Sequence, residues 1–136
     1  MVGSKYVSSM RGNKRTFHYA FRLYLNLDGS RVLGKGGAQI LEAIDKHGSI
    51  VAAAEELHMS YKFVWDYLTR MSNRLKRPVV VTRRGGTRHR KTKGGGGTRL
   101  TPLANALLKN YRATERRVHV TVSKTKIPIA TRSRER

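Results

Sequence analysis

Ser60, Tyr61 and Lys62 stand in succession, and Asp66, Thr69 and Arg70 follow at spacings of one and two helical turns. On a helix those positions share a face, which would present a hydroxyl, a phenol, an ammonium, a carboxylate and a guanidinium together. Such a set makes hydrogen bonds and ion pairs rather than covalent bonds, and its natural targets are base edges and phosphate oxygens. Lys62 has two readings, a hydrogen bond to a guanine edge or neutralisation of a phosphate. Asp66 either accepts from the amino group of cytosine or pairs with Arg70, four residues on. Tyr61 either lies on a sugar-phosphate backbone or covers the core, whereas Trp65, the single tryptophan, falls in the apolar stripe with Leu68 and is expected as a core ring. A second set is cationic throughout: Arg83, Arg84, Arg88, His89, Arg90, Lys91, Lys93 and Arg99, with no acid among them and a Gly94–Gly97 tetrad between. Residues of that kind on a loop bind phosphates, and arginines there suit a narrow minor groove.

Other chemistries find no support. The carboxylates Glu42, Asp45, Glu55, Glu56 and Asp66 form no pair suited to acid and base work, so no enzyme is expected. The histidines at 18, 47, 58, 89 and 119 lack ligand spacing, and there is no cysteine, so neither a metal nor another cofactor is expected. Gly34-Lys35-Gly36-Gly37 lacks the spacing and the Lys-Ser/Thr ending of a nucleotide-binding loop and reads as a loosened turn before a helix. No small-molecule effector is evident.

The elements that must hold the two sets can be read from periodicity. From Phe21, alternation puts Phe21, Leu23, Leu25 and Leu27 on one side of a strand, Asp28-Gly29 makes a turn, and Arg31–Leu33 returns. A first helix is expected over about Ala38–Lys46, stopped by Gly48. Ser49 caps a second helix over about Ile50–Leu57, and Ser60 a third over about Tyr61–Leu75 with Val64, Trp65, Leu68, Met71 and Leu75 inward. Val79–Thr82 and Thr98–Thr101 read as the strands of a long basic hairpin. Pro102 starts a fourth helix on which Leu103, Leu107, Tyr111, Thr114 and Val118 recur, and His119–Lys124 alternates weakly as a strand. The expected fold is mainly α with small β: a winged helix-turn-helix with an N-terminal strand or hairpin, a basic wing and a long C-terminal helix. Its organisation would be a flexible basic arm at 1–16, one domain at 17–118 including the helix at 102–117, and a basic tail at 119–136.

Composition points the same way. The 136 residues hold 29 Lys and Arg against 8 Asp and Glu, a formal charge of +21. A surface so basic concentrates polyanions, and double-stranded DNA is the expected partner, RNA being an alternative on composition alone. No apolar run suggests a membrane span or a signal peptide, so a cytoplasmic, nucleoid-associated location is expected.

The run Gly48-Ser49-Ile50, then Ala53-Ala54, then Met59-Ser60-Tyr61-Lys62 with Trp65-Asp66 closely resembles the N-terminal DNA-binding domain of the molybdate-responsive ModE regulators, itself akin to the LysR-type winged helix. The resemblance continues through Pro78-Val79-Val80, Gly85-Gly86, the glycine tetrad and Leu100-Thr101, and covers roughly Phe21 to Arg116. It implies a homodimeric transcription regulator that reads DNA with the third helix. Ser49, Ser60, Tyr61, Lys62, Asp66, Thr69, Arg70 and the wing cations would meet DNA, and Leu103, Leu107, Tyr111 and Thr114 would join two copies. Members that sense molybdate carry C-terminal oxyanion-binding modules, for which the residues after the last helix are too few, so sensing by that route is not expected. The charge keeps a second function open: an architectural chromatin protein that coats DNA with little sequence preference.

Overall fold

The computed structural model describes residues 15–83 and 97–129. Asp28 and Gly29 both take positive φ, 48° and 81°, the backbone that a two-residue hairpin turn requires. They fold β1 (Leu25–Leu27) against β2 (Ser30–Leu33) as an antiparallel pair. The expected strand from Phe21 is thus only three residues long. β2 offers partners no further back, and the Leu23 carbonyl accepts instead from the Tyr111 hydroxyl at 2.9 Å. Leu23 and Leu25 pack against the core, but Leu27, expected beside them, is exposed at the hairpin tip.

α1 (Lys35–His47) starts three residues earlier than periodicity suggests, so Gly36 and Gly37 are helical rather than part of a loosened turn. The reason is tertiary. Gly37 is buried, and a Cβ there would lie 2.1 Å from Oη of Tyr67 and 3.0 Å from Cδ1 of Leu33. Glycine is what lets two elements approach so closely, and the contact outweighs its poor helix propensity. Gly48, at φ 64°, ends the helix in the left-handed region.

α2 (Ile50–Leu57) and α3 (Tyr61–Leu75) have the expected bounds, each headed by its serine: Ser49 Oγ accepts from Ala52 N at 3.2 Å and Ser60 Oγ from Phe63 N at 3.0 Å. His58, left-handed at φ 56°, makes the turn between them. α1 packs on α2, α3 packs on α2 and on β2, and their facing residues form the core, with Leu33, Ile40, Leu41, Ile44, Val64, Leu68 and Val79 its largest fully buried members.

β3 (Val80–Arg83) and β4 (Gly97–Leu100) pair antiparallel, each one residue off the expected strand. Thr101, expected as strand, instead caps the last helix: its Oγ1 accepts from Ala104 N at 3.2 Å and donates to the Pro78 carbonyl at 2.9 Å. That helix, α4 (Pro102–Lys124), runs through the segment His119–Lys124 expected as a strand. The β-branched residues there favour strand, but an already nucleated helix gains a hydrogen bond per residue and meets no glycine or proline before Pro128.

The architecture is a winged helix-turn-helix, mainly helical with two small strand pairs. Its compact unit is Arg22–Arg117; the described residues outside it, 15–21 and 118–129, belong to a separate unit. In the latter, residues 15–21 have no regular structure and Thr125 Oγ1 donates to the Thr121 carbonyl at 2.7 Å. Most of the expected arm, the end of the expected tail and the wing residues 84–96 lie outside the described residues. Among the described residues no helix is long and apolar enough to cross a membrane.

Candidate nucleic-acid interface

The side of α3 turned from the core gathers the residues that spacing put together. Val64, Leu68 and Met71 are buried, whereas Tyr61, Lys62, Thr69 and Arg70 are exposed. From His58 to Arg83 the cations are Lys62, Arg70, Arg74, Lys76, Arg77 and Arg83, and the single acid is Asp66. Lys62 Nζ meets Asp66 Oδ2 at 2.8 Å, with the lysine side chain 83% exposed. Asp66 therefore pairs with the cation four residues before it and not with Arg70. The Arg70 guanidinium instead lies 6.0 Å from the centre of the Tyr67 ring.

Trp65 is not a core ring. It is 43% exposed and stacks on Tyr61, with centroids 6.4 Å apart and planes 5° from parallel. The stripe Val64, Leu68, Met71 and Leu75 already occupies the inward face, and Trp65 is turned about 100° from Val64, so both cannot face one core. Thr69 donates to the Trp65 carbonyl at 2.9 Å. The oxygen of Ser49, half-buried, is engaged as a helix cap.

The strand pair stands beside this helix-turn-helix through its own bonds: Thr98 N donates to the Gly48 carbonyl at 2.9 Å, which ties β4 to the end of α1. In the register Val80↔Leu100, Val81↔Arg99, Thr82↔Thr98, Arg83↔Gly97, Leu100 and Thr98 point to the core and Arg99 and Arg83 share the opposite face with exposed Val81. Arg84, Arg88, His89, Arg90, Lys91 and Lys93 lie outside the described residues.

Two features were not legible from spacing. Arg74, on the last turns of α3, donates to the Arg31 carbonyl at 2.5 Å, and Arg31 covers the Tyr24 ring at 3.6 Å, so the β1–β2 hairpin brings one cation, Arg31, beside α3. Nothing in the sequence signals a contact 43 residues apart. The acids are drawn elsewhere. Arg112 donates through Nε to Glu42 at 2.8 Å, through Nη2 to the same carboxylate, and through Nη1 to Glu115 at 2.7 Å. Glu56 accepts from Lys46 at 2.8 Å and lies 3.1 Å from His47, and hydrogen bonds from Lys46 first and His47 second hold its carboxyl below the ordinary range. Such pairing engages Glu42, Glu56 and Glu115 away from α3, where Asp66 is the one acid.

On α4, Ala104, Leu108 and Tyr111 are buried, Leu103 and Leu107 are half-buried and Thr114 is exposed. Tyr111, grouped above with the residues that would join two copies, is engaged within its own unit by its ring and its hydroxyl. Among the described residues no three His, Cys, Asp or Glu side chains gather where a metal ion could be held.

Comparison with known proteins matches residues 37–105, half of the chain, to the bacterial regulatory helix-turn-helix proteins of the lysR family. The molybdenum transport protein ModE of Azotobacter vinelandii is 37% identical over 94 residues, 69% of this chain and 33% of that protein. The molybdenum-pterin-binding protein MopB of Rhodobacter capsulatus is 42% identical over 91 residues, 67% of this chain and 31% of that protein. The chain thus spans about a third of the length of the curated relatives it matches. Among solved structures, ArgP from Mycobacterium tuberculosis aligns with 64% of this chain and 28% of its own at 22% identity and a TM-score of 0.46. The resemblance to the ModE regulators noted from the sequence is upheld.

Proposed function

The chain belongs to the lysR family of bacterial regulatory helix-turn-helix proteins, and from that premise we propose that it is a transcription regulator that binds double-stranded DNA. α3 enters the major groove by its capped N-terminal end, where Tyr61 and Lys62 meet the sugar-phosphate backbone and base edges. The strand pair lies alongside, with Arg83 and Arg99 on phosphates and Arg84, Arg88, His89, Arg90, Lys91 and Lys93 extending that grip toward the minor groove. The observation that carries this reading is the make-up of α3 and its flank: from His58 to Arg83, six Lys and Arg side chains stand with one acid, itself paired with Lys62.

The active form is a homodimer joined through α4. Leu103 and Leu107 remain half-buried on a helix whose other apolar face is already in the core, and Thr114 lies further along it. A two-fold pair would set two recognition helices one turn of DNA apart, or a multiple of it. Such a protein acts at the chromosome, in the cytoplasm.

The charge of +21 favours one other function, a coat on DNA without sequence preference. Competition between duplexes separates the two. A regulator favours a duplex selected from a random pool over unselected DNA by about 10³ or more at physiological salt. A ratio below about ten would replace the regulator with the architectural protein.

A further inference from the structure

α3 carries an apolar stripe that its hydrogen-bonding residues do not explain. Tyr61, Trp65 and Thr69 follow one another at intervals of four residues and span about 12 Å along the axis. The Tyr61 and Trp65 rings are stacked and 51% and 43% exposed. Thr69 is exposed as well, and its hydroxyl is engaged by the Trp65 carbonyl at 2.9 Å, so the methyl is the side-chain group not taken up by a hydrogen bond. The nearest polar neighbours, Lys62 and Asp66, satisfy one another at 2.8 Å. This flank of the helix therefore offers carbon, held in place beforehand, in the middle of a cationic surface.

That combination narrows the partner. The surrounding Lys62, Arg70, Arg74 and Arg83 favour a polyanion over the apolar surface of another protein. The stack fixes both rings before anything binds, so less side-chain freedom is lost on contact. In the major groove the one apolar mark on a base edge is the C5 methyl of thymine. We propose that Tyr61, Trp65 and Thr69 read thymine methyl groups, so that sequence preference arises from apolar contact with A·T pairs rather than from the hydrogen bonds of Lys62 and Asp66. This inference rests on the DNA-binding reading above.

Uracil replacement tests it. A duplex selected by the 136-residue chain from a random pool is remade with each thymine in turn replaced by deoxyuridine, which removes only the methyl, and affinities are read by fluorescence anisotropy. At one or two thymines per half-site, uracil weakens binding about fourfold, the worth of one buried methyl. Trp65→Ala, checked for its fold by circular dichroism, loses that difference between thymine and uracil, as does Tyr61→Ala. Thr69→Val, which keeps the methyl and drops the hydroxyl, retains it. Firm binding that is indifferent to every uracil overturns the methyl reading and leaves DNA binding standing. A uracil effect undiminished in Trp65→Ala overturns the assignment to the stack. Failure to bind any duplex removes the premise and the inference together.

Discussion

Asp66→Asn isolates the charge at the head of α3. Its carboxylate meets Lys62 at 2.8 Å, with the two side chains 43% and 83% exposed. An exposed pair four residues apart on a helix contributes only about 0.3–0.5 kcal/mol, so the fold should survive the change with its melting point nearly unmoved. Binding should change more. In the parent, Lys62 reaches a phosphate only by leaving Asp66 or by bringing the acid with it, so the pair adds no net charge to the contact. In the variant a free cation takes its place. Each additional phosphate contact steepens the slope of log affinity against log salt by about 0.9, or about 1.8 for a dimer. Doubling the salt should therefore cost the variant about 3.5-fold more affinity than the parent on a duplex of random sequence. Anisotropy titrations at four or five potassium chloride concentrations measure both slopes. An unchanged slope would place Lys62 away from phosphate and refute the reasoning. A loss confined to duplexes with one particular C·G pair would instead assign Asp66 to cytosine.

Three further outcomes are expected. Gly37→Ala should lower stability by about 1–2 kcal/mol in urea unfolding although alanine is the better helix former, because the new methyl meets Tyr67 Oη at 2.1 Å and buried Leu33; removing that oxygen in Tyr67→Phe should recover part of the loss, and an alanine variant as stable as the parent would show that the approach is not tight. Burial, opposed by Arg70, Arg74 and Arg31, holds the Tyr67 phenol above its ordinary value of 10.0, so its contribution is complete below that pH and is lost as pH rises toward the folded value; the alkaline limb of stability should be shallower in Tyr67→Phe, and equal limbs in parent and variant would exclude this group. Leu107→Glu should yield monomers in light scattering, and an unchanged dimer would move the association surface off this part of α4.

Much of this protein is local in origin. Ser49 and Ser60 as caps, Gly48 as a helix stop and the i, i+4, i+7 recurrence from Val64 to Met71 specify α2 and α3 before any packing, because each is satisfied within a few residues of itself. The charge imbalance is a property of the chain in any conformation, and it already points to a polyanion.

Other properties had no local cause. The early start of α1 follows from Tyr67, thirty positions on, pressing against Gly37. The N-terminal strand stops short because Tyr111 on α4 claims the Leu23 carbonyl. Trp65 is apolar and adjoins an apolar stripe, yet its outward position depends on which neighbours fill the core first, and Val64 and Leu68 do. Residue type and spacing established that one helix face is apolar and one charged, because periodicity is written into the chain. Where the boundary between those faces falls, and so which groups remain to touch a partner, was decided by packing between segments that the sequence keeps far apart.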